Sequence, residues 1–512
     1  VLLSGTAGDE RRLQQLQRCR DRLIEEGIDL GAYTSAASAA DLADLRAALG
    51  YGPWNLYGLS YGSRLALTVM RDHPDGLRSV VLDGAYPPNV NRYELVPGGF
   101  EAALAALVSA CDADSSCARD YPDLADTIGE VLERGADDPL TVVADDPHDR
   151  SPVRVELTDR TIADGLFSAL RDPESVRALP FVLDQLSQGN ADAALPLVQR
   201  TLDLEGHDAE GLAQSVECAE EIPFNDDTRI ADAMAAGAFA RHLSVPALRE
   251  ECAIWGVPAL SAAENAAVSS GVPTLIVTGG FDPATPAPWA QAAAAGLTAA
   301  TSVVFPSSGH GAVSAVWAST CPSAVAAAFL RDPTAAPDAA CAERMPPVDF
   351  VTTDDIDPTS AIYLLDRDLR QDRDPAQLAV AAVTVLLLAA TVLYGIGYGL
   401  AWLVRRRGGA PEGAVLAASV AAGANLTFVG ALSVLALTSE PLLLALGTPP
   451  AAWPLYLLPF VAIAATAVLV VLVVRAWIGG DGSTGDRMVL SLSALASIGF
   501  AIWLLSRGLL TL

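Results

Sequence analysis

Residues 54–84 read WNLYGLSYGSRLALTVMRDHPDGLRSVVLDG, and the fold turns on this stretch. Trp54–Tyr57 is a short apolar run that predicts a strand. Gly58-Leu59-Ser60-Tyr61-Gly62 follows as a G-x-S-x-G turn. Ser63–Asp72 predicts a helix with small and apolar residues toward a sheet, and Ser79–Asp83 predicts a second, buried strand. Strand, tight turn, helix and strand in succession predict a parallel α/β sheet. The five-residue match alone is weak, because about 0.1–0.2 chance matches are expected in a chain this rich in glycine, so the context carries the reading. In that context Ser60 sits on a strained turn that lifts its hydroxyl out of the sheet edge. The Tyr61 backbone N–H then faces the space where an oxyanion develops. Both glycines are expected because side chains there would collide with strand and helix.

Outward from this stretch, residues 10–27 and 38–50 predict helices. Residues 90–265 are mostly helical in pattern and rich in Ala and Leu. They interrupt the alternation, which resumes with a strand at Thr274–Gly279, a helix near 288–297, a last strand at Ser302–Phe305 and a last helix at Pro322–Leu330. The expected organisation is a core in two pieces, 1–89 and 266–345, around a helical cap at 90–265. A linker at 346–376, within a stretch rich in Asp and Pro, leads to a four-helix segment at 377–512.

That last segment explains the composition. An apolar share of 51% and a mean hydropathy of +0.34 are high for a soluble protein, and the excess is concentrated there. Four apolar runs, about 378–404, 413–438, 453–474 and 488–510, each reach the roughly 20 residues a membrane span needs. Trp402, Trp453, Trp477 and Trp503 lie near run ends, as an interfacial belt would place them. Arg405–Arg407 follow the first run and predict a cytoplasmic loop, with Arg475 and Arg487 on the same side and residues 1–376 outside the cell. The expected location is therefore a multi-pass cell-membrane protein with an extracellular N-terminal domain. Residues 377–512 hold six Arg and four acids, so the chain's net charge of −29 leaves −31 on residues 1–376. A surface that acidic repels phosphate backbones and excludes nucleic acid as a partner.

A serine hydroxyl is a poor nucleophile at neutral pH and needs a base that is itself oriented. His310, in SSGHGA after the last strand, is the candidate base. The other four histidines, His73, His148, His207 and His242, sit in helix-end, cap or loop contexts and read as solvated. Asp282, in GGFDPATP directly after a strand, is the candidate orienting acid, although alone it reads as a turn former. The order Ser60, Asp282, His310 is the one an α/β-hydrolase fold requires. The seven cysteines all precede the apolar runs, form no C-x-x-C pair and have few histidines near them, so no metal is expected. They read as disulfides in an oxidising compartment, with Cys19 the odd one out. No cofactor is needed by such a triad.

The segments 55–88, 271–290, 305–313 and 321–341 resemble the secreted proline iminopeptidase and tripeptidyl aminopeptidase group of α/β-hydrolases. The resemblance covers about residues 10–345 and leaves the apolar runs outside it. It implies a serine peptidase that releases residues or short peptides from free N-termini. It also implies the pairs Cys111–Cys117, Cys218–Cys252 and Cys321–Cys341, a connectivity that spacing alone leaves open. Such enzymes hold the substrate ammonium on acidic cap residues, and in SVECAEEIPF the matching positions are Glu220, the preferred one, and Glu221. The alternative for both is a solvated acidic face.

The resemblance has a gap. No HG-type glycine-rich loop precedes Ser60 to supply a second oxyanion donor; only Ser4–Thr6 hints at a remnant. The chain opens on Val with no signal-peptide pattern, and the first strands are missing, which reads as a fragment or trimmed product. Losing one oxyanion donor costs about 10²–10³ in rate, so the chain alone is expected to be poorly active. Two other functions stay open: a carboxylesterase or lipid esterase using the same triad, and a non-catalytic membrane sensor. The apolar segment has few polar residues, chiefly Asn425, Thr427 and Ser433, which favours an anchor or assembly interface over a pump.

Overall fold

The computed structural model describes residues 6–510 apart from 206–209, 245–247, 317, 372–374 and 406–410. The chain divides into two units, Val1–Thr352 and Thr353–Leu512. The first has the α/β-hydrolase fold. Helices α1 (Thr6–Glu25) and α2 (Ser35–Ala48) precede strand β1 (Trp54–Leu59), helix α3 (Tyr61–Asp72) and strand β2 (Leu77–Asp83). Strands β5 (Thr274–Gly279) and β6 (Ala300–Phe305) complete a four-stranded parallel sheet in the order β1-β2-β5-β6. β2 and β5 are buried almost throughout, which is why each carries a continuous apolar stretch, VVL in β2 and LIV in β5. Side chains alternate across the sheet, and each face is covered. Val80, Leu82 and Ile276 pack on Leu67 and Met70 of α3 and on Ala290 and Ala293. Val81, Leu275 and Val277 pack on Val325 and Phe329 of the helix Cys321–Arg331.

The insert between β2 and β5 is mostly helical, but it also holds an antiparallel hairpin, β3 (Leu140–Asp145) with β4 (Pro152–Leu157). The β-branched run TVV and the alternating RVEL, on either side of DPHD, are strand signals that the surrounding Ala and Leu masked. Disulfides join Cys111 to Cys117, Cys218 to Cys252 and Cys321 to Cys341, and Cys19 is free. Residues 346–352, read as linker, lie instead against the first unit. Phe350 and Val351 are buried there, and Val351 exchanges backbone and side-chain bonds with Arg177 and Tyr121.

Among the described residues, five helices are long and apolar enough to cross a membrane. One of them, Arg92–Ala113, belongs to the first unit, where Phe100, Leu104 and Leu107 are fully buried in the cap. The other four, Ala379–Val404, Glu412–Thr438, Pro450–Gly479 and Thr484–Ser506, form the second unit. Their outer faces are apolar: Leu386, Leu393 and Val404 are 68%, 68% and 83% exposed. Several of their polar groups turn inward, with Thr391 Oγ1 and Ser493 Oγ 2.7 Å apart and Asn425 buried. Apolar outside and polar inside is the arrangement a bilayer selects. Thr427 and Ser433 face outward instead, and the Ser433 hydroxyl donates to its own helix at Val429 O.

Candidate active site

The turn after β1 holds Ser60 at φ 55°, ψ −121°, a region that costs a non-glycine residue about 1–3 kcal/mol. Neighbouring bonds hold it there. Ser60 N–H donates to Asp83 O on β2 at 3.0 Å, and Ser63 N–H donates to Ser60 O at 2.9 Å. The buried Ser63 hydroxyl lies 2.5 Å from Ser60 O and accepts the Tyr86 N–H at 2.9 Å. Tyr61 opens α3, so its N–H is one of the first-turn donors that have no acceptor within the helix. The two glycines of the turn differ. A Cβ on Gly58 would lie 2.2 Å from Gly62 O, whereas a Cβ on Gly62 would meet nothing within 4 Å. Gly58→Ala is therefore expected to destabilise the unit by at least about 2 kcal/mol, and Gly62→Ala to be near neutral. Thermal unfolding of the two variants side by side checks this; equal midpoints would refute it.

The loops after β5 and β6 meet beside this turn. His310 Nδ1 and Asp282 Oδ2 are 2.8 Å apart, and both side chains are buried. Thr285, a residue the sequence reading passed over as part of the turn, donates its hydroxyl to the same Asp282 oxygen at 2.6 Å. The other Asp282 oxygen accepts the N–H groups of Ala284 at 2.8 Å and Thr285 at 3.0 Å. Burial alone would raise the Asp282 carboxyl; His310 and the Thr285 bonds outweigh it and hold it below the ordinary range. An ionised Asp282 accepts the Nδ1–H of His310 in a hydrogen bond, fixing the tautomer with Nε2 as the basic nitrogen. Nε2 is buried and without a hydrogen-bond partner, and no bond joins it to Ser60 Oγ. His310 N–H is anchored on Arg171 O at 2.8 Å, which ties the loop to the cap. Gly84, φ 65°, leaves room for this pair: a Cβ there would lie 2.6 Å from Thr285 Oγ1 and 3.1 Å from the His310 ring. Of the other histidines, His207 lies outside the described residues, and His242 is paired with Asp159 at 3.0 Å.

The acidic segment is not a solvated face. Residues 217–221 form a π-helical turn in which Glu220 and Glu221 are 1% and 2% exposed. Their counter-charge is Arg64, one turn after Ser60 on α3 and itself 2% exposed. Arg64 Nη1 donates to Glu221 Oε2 at 2.9 Å and Nη2 to Glu220 O at 3.0 Å, with Nε 3.7 Å from Glu220 Oε2. Glu221 also accepts from Arg92 N and Asn225 Nδ2, and Glu220 from Ser35 N. Glu217, which the sequence reading did not single out, is the more open carboxylate, with its side chain 24% exposed. It pairs with Arg92 Nη1 and Tyr93 OH, each at 3.0 Å, and burial raises its carboxyl above the usual value. The spacing 217, 220, 221 places all three on one side of a helical turn, and that signal was present in the sequence. The disulfide Cys218–Cys252 pins this turn to the helix Leu248–Trp255. Residues Ser4 and Gly5, read as a remnant of an oxyanion loop, lie outside the described residues, and Thr6 opens α1.

Two family models match the chain: the alpha/beta hydrolase fold over residues 5–105 and the TAP-like protein family over residues 240–341. Among curated relatives, serine protease Hip1 of Mycobacterium tuberculosis strain H37Rv is 28% identical over 306 residues, as is Hip1 of Mycobacterium bovis. Each match covers 55% of this chain and 56% of the relative, so the chain spans about half the length of the proteins it matches. Solved structures with a detected likeness include a thermophilic esterase from Thermogutta terrifontis at 19% identity, covering 59% of this chain and 74% of the other, with a TM-score of 0.25. Another is Est816, described as an N-acyl homoserine lactone degrading enzyme, at 16% identity, covering 55% of this chain and 70% of the other, with a TM-score of 0.21. The family models and the Hip1 relatives support a serine hydrolase of the α/β-hydrolase fold.

Proposed function

We propose that this chain is a membrane-anchored serine hydrolase that removes residues or short peptidyl groups from free N-termini through an acyl-enzyme on Ser60. The observation that carries the proposal is the His310–Asp282 pair at 2.8 Å, with an unpartnered Nε2, in the same unit as a serine held at φ 55°. His310 Nε2 takes the proton of Ser60 Oγ as that oxygen attacks the substrate carbonyl. The carbonyl oxygen becomes an oxyanion facing the Tyr61 N–H. The tetrahedral intermediate collapses, the C–N bond breaks, and imidazolium His310 gives its proton to the leaving amine. Water, deprotonated by His310, then attacks the acyl carbon, the C–Oγ bond breaks, and imidazolium His310 returns the proton to Ser60 Oγ. Asp282 holds the imidazole and stabilises its charged form. The residues that form this core, 1–89 and 266–345, surround a cap at 90–265 that supplies the acids, and 377–512 anchor the chain. Disulfides in the first unit support an extracellular catalytic domain.

Glu217 and Glu220 are the proposed ammonium partners. Glu221 is saturated by Arg64, Arg92 N and Asn225, whereas Glu217 is partly open and Glu220 Oε2 has only a long contact to Arg64. The Tyr61 hydroxyl, one residue from the nucleophile, lies in the field of both Glu217 and Glu220. Glu217→Gln and Glu220→Gln are expected to raise KM for aminoacyl and tripeptidyl amides with free N-termini by about tenfold or more, and to spare short acyl esters. The pH dependence has a defined sign. Because burial raises Glu217, its charge is lost at a higher pH than an ordinary carboxylate's, so KM for free-N-terminus substrates rises as pH falls toward that raised value. Ester turnover shows no such rise in KM. Equal losses on peptides and esters would move the reading to an esterase.

A further inference from the structure

The mechanism leaves one buried acid at the sheet edge without a task. Asp83 closes β2 and is fully buried. Its backbone oxygen accepts the Ser60 N–H at 3.0 Å. Its carboxylate reaches the other way. Oδ2 accepts the Tyr57 hydroxyl of β1 at 2.7 Å and the Val313 N–H, three residues beyond His310, at 3.0 Å. One residue therefore bonds both to the turn that carries the nucleophile and to the loop that carries the base. We propose that Asp83 is a positioning residue that locks the His310 loop to the Ser60 turn and lends its negative charge to the imidazolium formed during turnover. The proposal rests on the Ser60–His310–Asp282 reading.

The second part follows from the oxygen that does nothing locally. Asp83 Oδ1 is buried with no hydrogen-bond partner, the one unpaired oxygen of an otherwise hydrogen-bonded carboxylate. Four groups from the elements packed around it bear on its charge: Tyr57 on β1, the Val313 N–H and His310 on the loop after β6, and Asp282 on the loop after β5. Tyr57 and the amide are neutral, and Asp282 repels. His310 is the group among them that gains positive charge in the reaction. A carboxylate with one oxygen unpaired gains a compensating charge when the imidazolium forms, which lowers the barrier instead of the ground state. Burial raises the Asp83 carboxyl and Asp282 adds to that, while Tyr57, the Val313 N–H and His310 favour its charged form.

Asp83→Asn separates geometry from charge, because the amide oxygen can still accept from Tyr57 and Val313. In the full chain, Asp83→Asn is expected to lower kcat about tenfold with KM within twofold. It should also shift the acidic limb of the kcat/KM profile to lower pH by about 0.5–1 unit, since the base loses a stabilising charge. Asp83→Ala, which also releases Val313, is expected to lose about 100-fold or more. Unfolding of the alanine variant does not rescue or sink the idea, because the asparagine variant decides it. A D83N limb and kcat within error of the parent overturn the proposal while Ser60→Ala still abolishes turnover. Turnover that survives Ser60→Ala overturns the triad, and this proposal with it.

Discussion

Ser60→Ala in the full chain is expected to remove at least about 10⁴-fold of kcat on every substrate the protein turns over, with KM little changed. The magnitude follows from covalent catalysis: without Oγ there is no acyl-enzyme, and what remains is binding plus the proposed oxyanion donor, the Tyr61 N–H. The same logic predicts non-additivity. His310→Ala should cost about as much as Ser60→Ala, and the double variant no more than either, because a base without a nucleophile has nothing to activate. Asp282→Asn should cost less than either, since Thr285 and two backbone N–H groups keep the loop in place while the imidazole loses its charged partner. A fluorophosphonate probe gives a readout independent of substrate choice: it should label the parent and leave Ser60→Ala unlabelled. Equal labelling and equal turnover in the two proteins would remove the hydrolase reading and leave the sensor. The fold itself would not change, because the strain at φ 55° is held through the Ser60 backbone by Ser63 and Asp83 and not through its side chain.

The parts of this site that were legible in the sequence are those set by local chemistry. A strand that must turn sharply into a helix needs glycine at 58, where any Cβ would meet the backbone of Gly62. Asp282 and His310 follow strands directly, so strand signals placed them at one sheet edge in the order the fold demands. What stayed hidden depends on contacts between distant residues. Arg64 reads as an ordinary helix cation until the fold brings residues 156 and 157 positions away against it. Asp83 reads as the end of a strand, and only the loop after β6 gives its carboxylate partners. The third apolar run was placed at 453–474, but the α-helix spans Leu457–Gly479, because the prolines at 450 and 454 hold the preceding turn in a 3₁₀ form. Apolar length matched the four long apolar helices of the second unit in number but not in their ends, since prolines near a helix start barely lower its hydropathy.

Arg64 carries the largest expected effect on stability. It is a guanidinium with almost no water contact, enclosed by the carboxylates of Glu220 and Glu221, the Glu220 carbonyl and the Tyr86 ring, whose centroid lies 4.9 Å away. Arg64→Ala would leave two buried carboxylates with no cation, a change that costs about 3–5 kcal/mol in comparable sites. Lys would restore the charge but not the fork that reaches Glu221 and the Glu220 carbonyl together, so Arg64→Lys should fall between the two. The sharper test is compensation. Adding Glu220→Gln and Glu221→Gln to Arg64→Ala removes the uncompensated charges, and it should recover a substantial part of the lost stability while leaving peptide turnover impaired. Chemical denaturation of the single and triple variants separates the cases. If Arg64→Ala unfolds at the parent's midpoint, the cluster carries no stability. If the triple variant also cleaves free-N-terminus peptides normally, Glu220 has no part in binding the ammonium. Stability rescued without function would mean that the cap keeps its buried charges for the substrate and holds them with Arg64, one helical turn from the nucleophile.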